Sequence, residues 1–407
     1  MSKVAQSERK HIVFVGQRNS GKSSLVNKFV GQDLVIVSDT PGTTTDPVKK
    51  SMELLPFGPV VLVDTAGIDD IGELGELRIS KTVKAISQAD FAIVVLDATN
   101  KLSLKEKELF GYLEKLEIPF TTVINKSDLD VNYELVEELN LSGIKFHTVS
   151  CIKDEGIYEL KEKVSKQIPS ETEPPLIGDL LQRHDVIVLV VPIDLGAPKG
   201  RLIMPQVQTI RESLDEDAIV VVAKDKELRA ALDKLASPPK LVVTDSQAIM
   251  RVAADVPDDI PLTTFSILMA RYKGDLPEFI KGINQVEELK NGDKVLISEA
   301  CSHHAQEDDI GKVKIPRWLR NHTKKDLNID VRNGADFPED ISQYKLIVHC
   351  GACMLTRKAM QVRIKQARLI NIPIVNYGVL ISYMHGAMPR AIKPFDEAIS
   401  VWQRQVN

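Results

Sequence analysis

The stretch GQRNSGKSS (residues 16–24) has the spacing G-x-x-x-x-G-K-S and decides the fold of the amino-terminal part of the chain. It follows the apolar run HIVFV (11–15) and precedes the helical pattern SLVNKFV (24–30), which is the context this motif requires. Glycines let backbone N–H groups surround phosphate oxygens, Lys22 adds a positive charge, and Ser23 is suited to bind Mg²⁺. The predicted phosphate-binding residues are Gly16, Asn19, Ser20, Gly21, Lys22, Ser23 and Ser24.

A second motif, D-x-x-G, closes the strand-like segment VVLVDTAG (60–67). Asp64 is predicted to reach Mg²⁺ through a water molecule, and the N–H of Gly67 is predicted to meet a γ-phosphate. A single motif of this kind also arises by chance in a Gly/Ser turn. Four such motifs, in order and each at the end of a strand, exclude that interpretation.

The remaining two motifs indicate the base. Asp128 of NKSD accepts hydrogen bonds from N1–H and the exocyclic amine of guanine, which adenine does not offer, so the motif predicts GTP rather than ATP. Asn125 is assigned to the N7 edge and the stem of Lys126 to the ring face. The segment SCIKDEG, which begins with Ser150 and Cys151, is predicted to present a backbone N–H to guanine O6.

Composition is that of a globular protein. The chain has 407 residues, 43% hydrophobic and 27% charged, with a net charge of −5, which predicts two or three domains and argues against nucleic acid as the main partner. Neither a signal-peptide core nor an apolar run of membrane-spanning length is present, so we expect a cytoplasmic protein with no membrane partner. Four cysteines are too few for a disulfide framework.

The order of elements predicts a P-loop domain with a parallel-type sheet, followed by two smaller α/β domains. Apolar runs alternate with helical patterns in residues 1–168, and PSETEPP (169–175) is typical of a linker. A smaller alternation without a catalytic constellation fills residues 169–264, which favours a role in assembly. Residues 265–407 form the third predicted domain. Within the second, GAPKG (196–200) is interpreted as a turn, because it lacks phosphate-loop spacing.

Three of the four cysteines lie in the third segment, in the pattern Cys301-x-His303 and, further along, His349-Cys350-x-x-Cys353. The pattern fits a structural zinc site, a 4Fe–4S site with three thiolates, or buried small side chains. If KVLISEA and YKLIVH are parallel strands, Cys301 and Cys350 leave the same sheet edge. Cys353 is then expected to begin the helix MLTRKAMQV, whose amino-terminal charge favours thiolates. These arguments do not separate zinc from iron–sulfur. Cys151, the fourth cysteine, is expected to be a small buried thiol.

The segment DTPGTTTDP (39–47) resembles the G-T-T-R-D stretch of the TrmE/Era group of GTPases. The resemblance implies that Thr44 completes the Mg²⁺ shell, while Thr45 replaces the usual Arg. Asn19 matches a K⁺ ligand of the potassium-stimulated members; the alternative is a loop-capping side chain. Ile68 stands where Ras-like proteins have a water-orienting Gln. Lys22, Thr44 and Gly67 are therefore the predicted catalytic groups, and hydrolysis is expected to depend on a cation or on assembly.

The chain as a whole resembles the GTPase maturation factor of iron–iron hydrogenase, the HydF family. The resemblance implies a 4Fe–4S cluster on Cys301, Cys350 and Cys353. It also implies a dimerising middle domain and a scaffold for the diiron subcluster precursor. The implied partners are the apo-hydrogenase and the radical-SAM maturation enzymes. For the fourth iron, His303 or His349 is either a ligand or a hydrogen-bonding neighbour; His304, Glu299 and water are further options.

Two other functions fit parts of the sequence. A ribosome- or tRNA-associated GTPase with a zinc module requires a basic or aromatic RNA-binding surface, which the sequence does not reveal. A structural zinc protein that has lost its switch is opposed by the intact nucleotide motifs.

Overall fold

The computed structural model shows two compact units, Met1–Glu171 and Thr172–Asn407. The described residues are 9–31, 47–68, 73–168, 174–192, 202–300, 309–334, 337–338 and 340–406. Thr44, Thr45, Cys301, His303, His304 and the GAPKG segment lie outside them.

The first unit is built on one six-stranded sheet in the order β2-β3-β1-β4-β5-β6, in which only β2 is antiparallel to its neighbour. Its strands are β1 Lys10–Val15, β2 Val48–Leu54, β3 Gly58–Asp64, β4 Phe91–Asp97, β5 Phe120–Asn125 and β6 Phe146–Val149. Its helices are α1 Lys22–Val30, α2 Glu73–Ser87, α3 Leu104–Lys115, α4 Tyr133–Leu141 and α5 Ile157–Gln167.

Burial on both faces explains the continuous apolar runs of the central strands. In β4 the six residues from Phe91 to Leu96 are all buried, as expected for a parallel strand covered by helices on both sides. Helix ends follow local polar signals: Ser103 and Glu106 form a capping box at α3, and Asn132 caps α4. The motif-bearing loops follow β1, β3, β5 and β6, so they meet at one sheet edge.

The second unit contains two parallel four-stranded sheets, in the orders β10-β9-β7-β8 and β12-β11-β13-β14. The strands are β7 Val186–Val190, β8 Ile219–Ala223, β9 Leu241–Thr244, β10 Leu262–Thr264, β11 Lys294–Glu299, β12 Asn328–Asn333, β13 Leu346–His349 and β14 Ile374–Asn376. The helices are α6 Met204–Asp215, α7 Leu228–Leu232, α8 Ile249–Asp255, α9 Phe265–Lys273, α10 Leu276–Lys281, α11 Asn284–Glu288, α12 Ile315–Thr323, α13 Arg357–Leu369, α14 Tyr377–Met384, α15 Met388–Ala391 and α16 Asp396–Val406.

The two sheets of the second unit share one hydrophobic core. Helix α9 follows β10 without a connecting loop, because Thr264 ends the strand and its side chain accepts a hydrogen bond from the N–H of Ile267. The predicted class, a parallel-type P-loop sheet followed by two smaller α/β sheets, is confirmed. The division into domains at residues 168 and 264 stays a prediction.

Among the described residues, no helix is both long and apolar enough to cross a membrane.

Candidate functional site

The phosphate loop in the first unit adopts the conformations its sequence predicts. Gly21 has φ +90° and Asn19 has φ +62°, both in the left-handed region. The Lys22 side chain is 6% exposed, and its Nζ donates to the carbonyl oxygens of Gly16 at 3.1 Å and Gln17 at 2.6 Å. The ammonium group therefore lies inside the loop, where phosphate binding requires it.

Asp64 and Ser23 meet beside the loop. The Ser23 hydroxyl donates to the Asp64 carboxylate; burial raises the pKa of Asp64, while Ser23 and Lys22 oppose that shift. Oδ1 of Asp64 is buried and has no hydrogen-bond partner among the described residues. A buried carboxylate oxygen next to a hydroxyl group fits Mg²⁺, which binds oxygen ligands. Ser23 and Asp64, both predicted here, are brought together.

The D-x-x-G segment is fixed to the phosphate loop. Oγ1 of Thr65 donates to the carbonyl of Phe14 at 2.7 Å, and the N–H of Ile68 donates to the carbonyl of Gly16 at 3.2 Å. Gly67, between these two anchors, is buried. This segment is thus held against the loop by hydrogen bonds from both sides of Gly67.

Asn125 joins three loops. Its Nδ2 donates to the carbonyl of Ser20 at 3.0 Å, and its Oδ1 accepts from the N–H of Cys151 at 3.4 Å. A Cβ on Gly21 would lie 2.1 Å from that Nδ2, so only glycine permits this approach. The amide therefore positions the loops, and the predicted contact with guanine N7 would use its second N–H.

The predicted base-selecting carboxylate is held in place by Ser150. The Ser150 hydroxyl donates to Oδ1 of Asp128 at 2.5 Å, and this hydrogen bond holds the pKa of Asp128 below its usual value. Ser150 Oγ also accepts from the N–H of Lys153 at 3.1 Å. Cys151 is half-buried, and burial raises the pKa of its thiol. The side chain packs against the core of the first unit.

Asp97 is a site residue that the sequence motifs did not reveal. It ends β4 and forms an ion pair with Lys126, Nζ to Oδ2 2.5 Å. Lys126 itself has φ +65°. The ion pair orients the lysine stem that is predicted to lie along the guanine ring. Its signal is the adjacency of β4 and β5, which the sequence alone does not specify.

Asn19, the predicted K⁺ ligand, is exposed. Its role, as a K⁺ ligand or as a loop-capping side chain, stays a prediction. The predicted Mg²⁺ ligand Thr44 lies outside the described residues.

The cysteine site in the second unit is placed by two neighbouring strands. β11 and β13 are parallel, with Ser298 opposite His349, and the N–H of Cys350 donates to the carbonyl of Ser298 at 3.0 Å. The N–H of Ala300 donates to Sγ of Cys350 at 3.0 Å, as does that of Ala352 at 3.5 Å. The predicted parallel arrangement of the two strands is confirmed.

Cys353 does not begin a helix, contrary to the sequence-based expectation. Thr356 accepts a hydrogen bond from the N–H of Ala359 and caps α13, which therefore begins at Arg357. Cys353 lies before the helix in a turn that contains Ala352, whose φ is +55°. Its sulfur is stabilised by the backbone N–H groups of Cys353 and Met354 rather than by a helix dipole.

The Cys-x-x-Cys turn fits an iron–sulfur cluster or another thiolate-bound metal. Burial raises the pKa of the Cys350 thiol to about 11 and also raises that of Cys353, while backbone N–H groups at both sulfurs oppose the shift. N–H donors aimed at sulfur are what a bound thiolate requires, since a metal displaces the proton. No group of three metal-binding side chains occurs among the described residues, which exclude Cys301 and His303.

His349, predicted to be either a ligand of the fourth iron or a hydrogen-bonding neighbour, has both ring nitrogens in hydrogen bonds in this structure. Its Nδ1 hydrogen-bonds the carbonyl of Cys350 at 2.9 Å, and its Nε2 accepts from Arg363 at 2.8 Å. The ring is fully buried, and burial together with Arg363 lowers its pKa to about 3, so it is neutral. Both ring nitrogens are used, and neither bonds a cysteine sulfur. His349 instead positions the backbone of Cys350.

Glu299, another option for the fourth iron, is buried at the end of β11. The Tyr377 hydroxyl donates to its Oε1 at 3.2 Å. A Cβ on Gly311 would lie 2.3 Å from the same oxygen and 2.4 Å from the Tyr377 hydroxyl oxygen, so a side chain there would have to displace this hydrogen-bonded pair. Glu299 directly precedes Ala300, whose N–H donates to Sγ of Cys350 at 3.0 Å, so this residue lies beside the cysteine turn.

Comparison with known proteins gives three family-model matches. The hydrogen maturase F dimerization domain matches residues 176–274, and the hydrogen maturase F tetramerization domain matches residues 277–394. Together they cover more than half of the chain. The 50S ribosome-binding GTPase model matches residues 11–126.

Curated relatives match part of this chain. The tRNA modification GTPase MnmE of Clostridioides difficile strain 630 is 37% identical over 161 residues, 38% of this chain and 34% of that protein. GTPase Der of Clostridium kluyveri is 40% identical over 127 residues, 30% of this chain and 29% of that protein. MnmE of Thermoanaerobacter strain X514 is 31% identical over 243 residues, which cover 57% of this chain and 49% of that protein. The chain thus matches less than half the length of each relative.

Solved structures include Era of Aquifex aeolicus, at 20% identity and a TM-score of 0.34, covering 53% of this chain and 92% of that one. The G domain of the T. maritima FeoB iron transporter has 22% identity and a TM-score of 0.30, and the match covers 40% of this chain and 100% of that one.

Proposed function

The chain belongs to the hydrogen maturase F family and carries an amino-terminal GTPase domain, and from this we propose that it is a GTP-hydrolysing scaffold for hydrogenase maturation. It would bind a 4Fe–4S cluster, take part in assembling the diiron subcluster, and deliver it to the apo-hydrogenase. The observation that carries the proposal is the Cys-x-x-Cys turn at a parallel sheet edge, with backbone N–H groups directed at sulfur.

GTP hydrolysis would proceed by in-line attack of water on the γ-phosphate. Lys22 is already inside the loop that holds the phosphates, and Ser23 with Asp64 would hold Mg²⁺, directly and through water respectively. Mg²⁺ supplies positive charge to the transferring phosphoryl group. Ile68 has an aliphatic side chain that cannot orient water. K⁺ bound with the help of Asn19 would supply the missing charge, and Thr44 and Gly67 are assigned to the same transition state.

The cysteine turn would hold the cluster through Cys350, Cys353 and Cys301. Because His349 is engaged through both nitrogens, a scaffold role would rely on a replaceable ligand at the fourth iron. Glu299, His303, His304 and water are the remaining options. A replaceable ligand suits a protein that must accept and release its cargo.

The two maturase domains support self-association of this chain, with a homodimer through the middle domain as the proposed minimum. The other proposed partners are the apo-hydrogenase and the radical-SAM enzymes of the same maturation pathway. We place the reaction in the cytoplasm and assign no role to nucleic acid.

The test is anaerobic purification of the full chain with measurement of iron, zinc and the electron paramagnetic resonance spectrum after reduction. Iron with a 4Fe–4S spectrum is expected for the unmodified chain and for Cys151→Ser, the matched control. Cys350→Ser and Cys353→Ser are expected to lose it. Zinc in place of iron in the unmodified chain would favour the alternative GTPase with a zinc module.

A further inference from the structure

The second unit contains the same arrangement of strands twice, in a first half with β7 to β10 and a second half with β11 to β14. Numbered along the chain, the four strands of each half lie in the order second, first, third, fourth, and all are parallel. The segments IPLTTFSILMARYKG (260–274) and IPIVNYGVLISYMHG (372–386) each form the fourth strand and the helix after it, and they align without a gap. Equivalent positions of the two halves can therefore be identified.

The last residue of the third strand differs between the halves. His349 ends β13 opposite Asn376, and Thr244 ends β9 opposite Thr264, so His349 and Thr244 occupy equivalent positions. Both side chains are fully buried. The Thr244 hydroxyl has no hydrogen-bond partner among the described residues, whereas both ring nitrogens of His349 are in hydrogen bonds. The first sheet forms without such contacts, so the interactions of His349 are not a requirement of this fold.

The peptide groups on both sides of the Cys350 side chain are held by hydrogen bonds. The N–H of Cys350 donates to the carbonyl of Ser298 at 3.0 Å, and its carbonyl accepts from Nδ1 of His349 at 2.9 Å. The ring carries its proton on Nδ1, because a carbonyl can only accept and the guanidinium at Nε2 can only donate. In the first half, Asp245 follows Thr244 and caps a short 3₁₀ helix instead. The histidine contact thus accompanies the cysteine.

Arg363 of α13 contacts both residues that hold Cys350. Its side chain is buried, and one guanidinium nitrogen donates to Nε2 of His349 at 2.8 Å and to Oγ of Ser298 at 3.2 Å. The other terminal nitrogen donates to the carbonyl of Gly334 at 3.4 Å, just past the end of β12. The guanidinium carbon lies 5.0 Å from the centroid of the Phe337 ring. One side chain therefore connects the carboxyl ends of β11, β12 and β13.

The first half lacks a counterpart of this arginine within the described ranges. Helix α8 follows the third strand there, and its arginine, Arg251, has a side chain that is 58% exposed and pairs with Asp225. Of the arginines that the structure describes, Arg363 alone is buried. Because the two sheets have the same topology, the buried arginine belongs to the cysteine turn rather than to the sheet.

We propose that Arg363, acting through His349, is a positioning residue that holds the cysteine turn in the conformation that binds the cluster. The inference rests on the proposed iron–sulfur function. The hydrogen bonds from His349 and to Ser298 fix both peptide groups of Cys350, which limits the directions in which its Sγ can point. A ligand that is already oriented loses less conformational freedom when it binds, so the cluster is held more firmly.

The test compares Arg363→Met, His349→Asn and His349→Leu with the unmodified full chain. Arg368→Met is the matched control, since Arg368 lies on the same helix with a side chain 55% exposed. In the metal-free chain, amide hydrogen exchange is measured by mass spectrometry for the cysteine turn and, as an internal reference, for β9. In the chain reconstituted anaerobically with iron and sulfide, the rate of iron loss to a chelator is measured.

Arg363→Met is expected to speed exchange in the cysteine turn about tenfold and to speed iron loss by a similar factor, with exchange in β9 unchanged. His349→Leu is expected to have the same effects. His349→Asn keeps an N–H donor near the position of Nδ1, so it is expected to retain most of the protection. Arg368→Met is expected to match the unmodified chain in both measurements.

Unchanged exchange in the cysteine turn of Arg363→Met would overturn the inference. Equal acceleration in the turn and in β9 would also overturn it, because the arginine would then stabilise the whole unit. Equal effects of His349→Asn and His349→Leu would do the same, because the hydrogen bond to Cys350 would not matter, and this comparison decides if Arg363→Met does not fold. Absence of iron from the unmodified chain would instead refute the proposed function, while exchange in the metal-free chain would still decide the inference.

Discussion

At the scale of single residues, the nucleotide site depends on side chains that hold other side chains. Ser150 is fully buried, and its hydroxyl donates a hydrogen bond to Asp128, while Asp97 forms an ion pair with Lys126. The four sequence motifs contain the residues that are predicted to contact GTP. The residues that orient these groups come from neighbouring strands, so they become visible only when the sheet is assembled.

Ser150→Ala is expected to weaken GTP binding roughly tenfold, because Asp128 loses the hydrogen bond that orients it. Asp128→Asn is expected to weaken it further and to relax the preference for GTP over ATP. Fluorescent-nucleotide titrations with both nucleotides measure these effects. Ser165→Ala is the control, since that hydroxyl donates to the carbonyl of Glu162 in its own helix, α5. If Asp128→Asn preferred GTP over ATP as strongly as the unmodified chain does, the assignment of Asp128 to guanine recognition would be refuted.

Asn19 leads to a prediction about cations. Replacing K⁺ by Na⁺ is expected to slow GTP hydrolysis several-fold, since the smaller ion fits the ligand set less well, and Asn19→Ala is expected to remove the difference between the salts. Phosphate release at constant ionic strength is the measurement. Asn27→Ala, in α1, is the matched amide control. The K⁺ assignment fails if the unmodified chain hydrolyses GTP equally fast in both salts.

At the scale of elements, the cysteine turn and α13 are separated by a cap. Thr356 is 7% exposed and accepts a hydrogen bond from the N–H of Ala359. The turn with Cys350 and Cys353 therefore keeps its own backbone conformation, in which N–H groups are directed at sulfur, while the helix begins independently at Arg357.

Thr356→Ala is expected to destabilise the second unit by about 1 kcal/mol, the usual cost of losing an N-cap. Chemical denaturation of the metal-free chain, followed by circular dichroism, checks this. Thr323→Ala serves for comparison, because its hydroxyl lies at the carboxyl end of α12, where it donates to the carbonyl of Leu319 and accepts from the N–H of Lys325, and so it is not an N-cap. A Thr356 variant as stable as the unmodified chain would contradict the capping role.

The strands were predictable because buried parallel strands are continuous apolar runs. The positions of the motif loops were predictable as well, because each loop follows such a run. The start of α13 was mistaken, although Thr356 is itself a typical capping residue. The apolar residues after Cys353 recur at helical spacing, and the prediction relied on this periodicity rather than on the cap at Thr356. The hydrogen bonding of His349 was not predictable, since its Nε2 accepts from Arg363, which comes from the next helix.

At the scale of the whole molecule, the nucleotide motifs and the cysteine turn belong to two compact units with separate hydrophobic cores. Among the described residues, the buried side chains of these two cores come from different units. Chemistry that fails in one unit is thus expected to leave the fold of the other intact.

Cys301→Ser, Cys350→Ser and Cys353→Ser are each expected to lose the cluster while GTP hydrolysis stays within about twofold of normal. Lys22→Ala is expected to do the reverse, abolishing hydrolysis through loss of charge at the β- and γ-phosphates while iron content is kept. Iron and phosphate assays on the same preparations give both readouts. Loss of GTPase activity in all three cysteine variants, without unfolding, would contradict independent units.

The direct passage from β10 into α9 has a consequence for anyone who shortens this chain. Thr264 closes a strand of one sheet and caps the helix that lies against the cysteine turn of the other. A fragment cut at residue 265 would discard the cap and uncover apolar side chains of the shared core. The smallest fragment that is expected to fold with the cysteine turn intact therefore begins near residue 174, ahead of both sheets.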